Sequence, residues 1–406
     1  MVLKVNFLGV EFENPFILSS APPTAKGEMI ARAFEAGWAG AVVKTMVPEG
    51  TVMENVRPRF WALSFPGYEE EPKKIYTFHN IELTSDRPLS TWLDEIKYLR
   101  KQFPKKVVIG SIMADGNDKR GWQELARSAE SAGVQILELN FSCPHGGMPG
   151  ECVGKAIGQD PNIAARIMGW VRESVKIPVL VKMTPNITDV TIVGNAVKKA
   201  GADGLTAINT ISSLPGIDIN TFEPLPSVAG YSAFSGYSGP GIKPVALRVV
   251  MELAEGVGLP ISGVGGISSW KDAVEFILCG ATTVQLATAV MLNGYEIIED
   301  LKEGLSCYME DKGFSSIEDF RGLAVGKIKD LMELDRKFNV KSHIDELLCI
   351  KCDICYRACR DGGYQAIEPD ENRLAHINKD KCSGCSLCFQ VCPVEGCINM
   401  EQVIEE

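Results

Sequence analysis

The chain alternates short, almost wholly apolar runs with longer stretches in which apolar residues recur every three or four positions. The apolar runs fall at residues 15–19, 40–44, 106–112, 135–141, 178–183, 204–209, 260–265 and 283–288. They are rich in Val, Ile and Leu and do not alternate with polar residues, the pattern of parallel strands buried on both faces. Between them, residues 121–132, 161–175, 190–200 and 270–279 carry helical spacing with one apolar face. Eight strand–helix repeats predict an α/β fold, a (β/α)8 TIM-type barrel over residues 1–310. A doubly wound sheet has a compatible strand count and is the alternative.

Two segments break the rhythm, residues 45–88 and 212–239, and each follows the C-terminal end of a strand. Long ordered loops at that end of a barrel usually cover a site. Residues 299–344 read as helical, so a helical linker is expected over 311–342, leading into a small two-cluster ferredoxin-like α+β domain at 343–406.

That last domain is predicted from cysteines. Of 13 in the chain, nine lie between Cys349 and Cys397. Crowding of this kind in a reducing compartment points to metal rather than disulfides. The runs Cys349-x2-Cys352-x2-Cys355-x3-Cys359 and Cys382-x2-Cys385-x2-Cys388-x3-Cys392-Pro393 repeat the spacing of bacterial two-cluster ferredoxins. Three thiolates of a run hold one [4Fe–4S] cluster and the fourth reaches to the other. The expected sets are Cys349, Cys352, Cys355 and Cys392 on one cluster, and Cys382, Cys385, Cys388 and Cys359 on the second. Arg360 stands where proline usually follows the first run. A pair of zinc sites is the alternative, though zinc usually takes two separated Cys-x2-Cys pairs. Cys397 lies outside both runs and reads as structural.

Charge narrows the function classes. The formal net charge is −11, against a nucleic-acid surface, and no apolar run approaches the ~20 residues of a membrane helix. The first residues lack the layout of a signal peptide, so the expected location is cytoplasmic, without membrane or nucleic-acid partners.

Polar residues sit at the predicted C-terminal ends of the barrel strands: Lys44, Asn140, Lys182, Asn209-Thr210, Gly263-Val264-Gly265-Gly266 and Ala287-Thr288-Ala289. Barrel enzymes place their chemistry there. Two lysines ending apolar strands need a partner, because desolvating an ammonium is costly; a flavin edge or a phosphate would supply one. Gly265 and Gly266 let backbone N–H groups approach phosphate oxygens, and barrel phosphate sites commonly follow the seventh and eighth strands.

These residues also carry a resemblance. Val43-Lys44-Thr45, Asn80-Ile81-Glu82-Leu83, Asn140-Phe141-Ser142-Cys143-Pro144-His145-Gly146, Gly158-Gln159-Asp160-Pro161, Lys182-Met183-Thr184-Pro185-Asn186, Asn209-Thr210 and Gly263-Val264-Gly265-Gly266-Ile267 resemble the motifs of dihydropyrimidine dehydrogenases. That family lies in the dihydroorotate dehydrogenase-like flavin-barrel superfamily, and its order of flavin barrel then double ferredoxin motif is also the order here. Dihydroorotate dehydrogenases carry a Met-Gly-Leu-Pro-Asn-like segment at Asn80–Leu83 and usually Asn at His145. The loop 146–155 departs from the dihydropyrimidine pattern, with Pro149 and Cys152 in place of its Gly-, Glu- and Arg-containing stretch.

The resemblance implies FMN and two [4Fe–4S] clusters, and interconversion of uracil or thymine with the 5,6-dihydro form. Cys143 would be the general acid/base. Asn80, Glu82, Asn140, Asn209 and Thr210 would bind the pyrimidine, asparagine being suited to amide edges because it both donates and accepts. Ala21, Lys44, Lys182, Ser238, Gly239, Gly265, Gly266 and Thr288 would contact the flavin, with Lys182 at its N1–O2 edge. His145 is a candidate to tune Cys143; Cys152, Cys279, Cys307, His79 and His343 read as structural. No Gly-x-Gly-x-x-Gly turn links a strand to a helix, so a separate NAD- and FAD-binding subunit is the expected partner in a hetero-oligomer. A dihydroorotate dehydrogenase-like enzyme is the second reading.

Overall fold

The computed structural model describes residues 3–64, 75–142 and 152–403. Its eight barrel strands are β1 (Phe16–Leu18), β2 (Gly40–Val42), β3 (Val107–Ile112), β4 (Ile136–Asn140), β5 (Val179–Lys182), β6 (Gly204–Ala207), β7 (Ile261–Val264) and β8 (Ala281–Leu286). All pair in parallel and in sequence order, and β8 returns to β1 to close the barrel. Each falls within or overlaps a predicted run. Every strand residue is buried, the reason the runs do not alternate.

The helices fall where the spacing placed them, and their ends follow from capping chemistry. Asp118, Asp160, Asp189 and Ser269 each accept a backbone N–H at the start of Lys119–Ala132, Pro161–Arg172, Val190–Lys199 and Trp270–Leu278. An N-terminal hairpin, Val5–Phe7 with Val10–Phe12, was not expected; Phe7 and Phe12 are buried, and Leu8 and Phe12 pack by the starts of β6 and β2.

The two long loops hold strands. Phe60–Ser64 and Ile75–Asn80 from the first loop, with Ile211–Ser213 and Ser235–Ser238 from the second, form one antiparallel four-stranded sheet. Asn80 faces Phe60 on one side and Gly236 on the other, so the sheet joins the loops that follow β2 and β6.

The expected helical linker over 311–342 is corrected. Helix Ile297–Lys312 ends where Gly313 takes a left-handed cap. Beyond it are only single turns, Ile317–Asp319 and Leu331–Glu333, and then a strand, Val340–Ile344. Apolar residues in this segment serve packing rather than a helix face: Phe314, Ile317 and Phe320 join the barrel core.

The chain divides into Met1–Lys327 and Ile328–Glu406. In the second unit, Val340–Ile344 pairs with Ile398–Gln402, and Ile367–Pro369 pairs with Ala375–Ile377. Two short helices, Ile354–Gly362 and Leu387–Val391, complete it. No described helix is long and apolar enough to cross a membrane.

Candidate functional site

A cavity of about 510 Å³ opens at the C-terminal ends of the barrel strands. Ala21, Lys44, Lys182, Ser238, Gly239, Gly265, Gly266 and Thr288 all line it, together with Asn80, Glu82, Asn140, Asn209 and Thr210. Cys143, His145 and most of the unusual loop lie outside the described residues.

The polar side chains are held by one another. Lys182, the last residue of β5, is buried and donates to Ser19 Oγ at 3.2 Å. Lys44 lies two residues beyond β2 rather than on it, and its Nζ is 2.6 Å from Glu82 Oε2. Arg59 takes the other oxygen, Nε to Oε1 at 3.2 Å. Asn140 donates to Thr45 Oγ1 at 3.1 Å and accepts from Ser142. Asn209 donates to Ser142 Oγ at 2.8 Å and accepts from the Thr210 N–H. Asn80, brought in by the lid sheet, donates to the Gly236 carbonyl at 3.3 Å.

Arg59, Thr45 and Ser142 were not foreseen. Arg59 meets Glu82 because the Ile81 N–H donates to the Arg59 carbonyl across the lid pairing. No spacing in the sequence signals that contact.

One wall suits a phosphate. Gly266 has φ +79°, and a Cβ built there would lie 2.8 Å from the Lys243 nitrogen and 3.0 Å from the Gly239 carbonyl oxygen. Backbone from the segments after the lid sheet and after β7 thus meets closely, with no side chain between them. Thr288 Oγ1 donates to Ser238 Oγ at 2.9 Å on the same wall. Apolar Ile208, Val264 and Leu286 line the same cavity. Buried lysines, apolar walls and a side-chain-free backbone cradle in one cavity fit a phosphorylated flavin.

In the second unit the cysteines sort into two groups around separate small cavities. Cys349, Cys352, Cys355 and Cys392 line one, with Cys397; Cys359, Cys382, Cys385 and Cys388 line the other. The fourth thiols cross over: Cys359, within the first helix, lines the cavity of the second run, and Cys392, just past the end of the second helix, lines that of the first. Gly384 between two ligands has φ +75°, and a Cβ there would lie 2.2 Å from the Val340 carbonyl oxygen, so only glycine fits the turn. Ser342 is buried with its Oγ 3.1 Å from Cys388 Sγ, placed to donate to a thiolate. The Ala366 N–H points at Cys359 Sγ at 3.3 Å. Burial is the main cause that raises the Cys355 thiol, to about 11, a cost that iron ligation removes because the ligand is a thiolate.

Replacing Cys355 therefore has a specific expected result. Cys355→Ala should lose about half the iron while the flavin stays bound, since the cysteines and the barrel cavity belong to different units. Iron and flavin assay with reduced-state EPR reads this; full iron content would remove Cys355 from the ligand set.

Similarity to known proteins agrees with this geometry. Residues 2–309 match the model of the family described as dihydroorotate dehydrogenase, and residues 342–400 match the 4Fe-4S dicluster domain. The chain is 42% identical to the NAD-dependent dihydropyrimidine dehydrogenase subunit PreA of Escherichia coli (strain K12), over 91% of this chain and 88% of that protein. It is 41% identical to the chloroplastic dihydropyrimidine dehydrogenase (NADP(+)) of Arabidopsis thaliana, over 79% of this chain and 76% of that one. Against the catalytic subunit of dihydroorotate dehydrogenase B (NAD(+)) of Pyrococcus furiosus the identity is 38%, over 80% and 99%. The dicluster match decides between iron–sulfur and zinc in favour of two [4Fe–4S] clusters. The chain belongs to the dihydroorotate dehydrogenase family of flavin oxidoreductases, with a 4Fe-4S dicluster domain fused after its barrel.

Proposed function

We propose that this chain interconverts uracil or thymine with 5,6-dihydrouracil or 5,6-dihydrothymine, as the catalytic subunit of a dihydropyrimidine dehydrogenase. The observation that carries the reading is the convergence of Asn80, Asn140, Asn209 and Thr210 on the cavity that also holds the phosphate cradle and both lysines. Asparagine amides complement the alternating N–H and C=O edge of a pyrimidine. FMN, when bound, supplies the hydride. Lys182 holds a positive charge in the cavity, and Gly239, Gly265, Gly266 and Thr288 hold the phosphate. Asn140 and Asn209 orient the ring, and Cys143 delivers or removes the proton at C5. The lid sheet excludes water from above.

The second reading, oxidation of dihydroorotate, is favoured by the identity to the Pyrococcus protein. Its substrate carries a carboxylate, which needs a cation to receive it. Lys44 and Arg59 are both engaged by Glu82, and a neutral pyrimidine makes no demand on them. This supports the uracil reading.

The clusters exchange electrons one at a time with something beyond the substrate. A separate nicotinamide- and FAD-binding subunit supplies them, in a cytoplasmic hetero-oligomer; the Escherichia coli relative is itself named as a subunit of an NAD-dependent enzyme. The test is anaerobic purification, identification of the released flavin, and a screen of uracil, thymine and dihydroorotate with artificial redox mediators. FMN, uracil or thymine turnover, and nicotinamide oxidation only after a flavoprotein partner is added are the expected results. Release of FAD alone, or turnover of dihydroorotate alone, would sink the reading.

A further inference from the structure

Below the cavity the barrel interior holds a carboxylate that the proposed reaction does not use. Glu138 and Asn140 both point inward from β4, two residues apart, with Asn140 opposite Lys182 and Glu138 one layer deeper. Barrel interiors are normally packed with branched apolar side chains. Here the layer is polar on four strands: Glu138, Thr206, Ser262 and the pair Thr283 and Gln285, all fully or almost fully buried. Thr206 Oγ1 donates to Glu138 Oε2 at 2.8 Å and Gln285 Nε2 lies 3.4 Å from the same atom. Gln285 Nε2 also donates to Ser262 Oγ at 3.1 Å, and Thr283 donates to Ser262 at 2.9 Å.

Among the described residues, Glu138 Oε1 has no hydrogen-bond partner, and it is wholly buried. It faces Lys182 Nζ at 4.0 Å. Lys182 has 6% of its side chain exposed and, among the described residues, a single hydrogen bond, to neutral Ser19. A buried ammonium held by one hydroxyl needs a counter-charge, and a buried carboxylate needs the same. Glu138 is the carboxylate that the described structure pairs with it.

We propose that Glu138 is a positioning residue for Lys182 that also sets the redox balance of the flavin. It holds the ammonium at the floor of the cavity and keeps the buried layer near neutral before any electrons arrive. Reduction adds negative charge to the cavity. With the Glu138 carboxylate in place, that charge meets a cation already partly offset; with the carboxylate removed, the cation acts unopposed and favours the reduced form. Thr206 and Gln285 hold the carboxylate in register from the side away from Lys182. The inference rests on FMN occupying this cavity.

The experiment is anaerobic spectroelectrochemistry of the flavin in the purified full chain, with flavin content measured on the same sample. Glu138→Gln, which keeps the shape and removes the charge, should shift the midpoint potential positive and bind reduced FMN tighter relative to oxidised FMN than the wild type does. Glu138→Asp, which restores the charge, should return the potential close to wild type. An unchanged potential in Glu138→Gln at full flavin content overturns the proposal, as does a shift in Glu138→Asp as large as that in Glu138→Gln, which would mark a packing role. Should Glu138→Gln not retain flavin, reduced-minus-oxidised infrared spectra of the wild type and of Glu82→Gln decide. A carboxylate band that persists without Glu82, the carboxylate lining the cavity itself, supports the proposal, and its absence overturns it. Failure of the wild type to bind FMN would instead count against the cofactor assignment.

Discussion

Cys143→Ala should lower turnover by about 10²–10⁴ while FMN, iron and pyrimidine binding persist, the range a positioned general acid contributes. Reduction of the C5–C6 bond needs a hydride and a proton on adjacent carbons, and the flavin supplies only the first. Cys143 follows Ser142, whose hydroxyl accepts from Asn209 at 2.8 Å, and lies three residues beyond Asn140. The chain entering Cys143 is therefore tied to the side chains proposed to hold the ring. A loss in kcat at nearly constant ligand affinity separates a proton donor from a binding residue. Cys143→Ser should keep slight activity, since a hydroxyl relays a proton less well. Cys152 offers no substitute: it lies beside Asp115 and Gly116, where its backbone N–H meets Asp115 and its carbonyl accepts from Gly116, and burial raises its thiol. Near wild-type turnover of Cys143→Ala with cofactors intact would move the role to His145.

Gly266→Val should expel the flavin and abolish turnover while the iron content is unchanged. A β-branched residue at φ +79° costs about 1–3 kcal/mol in backbone strain alone. Its Cβ would also lie 2.8 Å from the Lys243 nitrogen and 3.0 Å from the Gly239 carbonyl oxygen. Both atoms are backbone and cannot rotate away, so the segments must part and the cradle between them is lost. The wall formed by Ser238 and Thr288 moves with Gly239. Flavin absorbance against iron content on one preparation reads the outcome. Retention of stoichiometric FMN would show that the phosphate is held elsewhere.

The eight barrel strands, the helices between them and the two cysteine runs were legible in the sequence. Each rests on short-range chemistry: continuous apolar runs buried on both faces, helical periodicity with an Asp or Ser cap, and thiols at cluster spacing. The candidate site was legible in part. Barrel topology brings strand ends together, so Asn140, Lys182, Gly265 and Gly266 could be grouped before any contact was known. What the tertiary structure alone decided are the pairings between distant segments. The lid sheet joins the strands Phe60–Ser64 and Ile75–Asn80 to the strands Ile211–Ser213 and Ser235–Ser238, and only that register places Arg59 against Glu82 and Asn80 at the cavity. Residues 311–342 contain enough apolar positions to suggest a helix, but Gly313 stops it and the barrel core claims Phe314, Ile317 and Phe320. Glu138 carried no signal, since a single acidic residue in an apolar strand acquires meaning only from the buried ammonium of another strand. Periodicity records what a residue's own element demands; pairing energy between remote segments and the charge balance of a closed interior exist only once the barrel has formed.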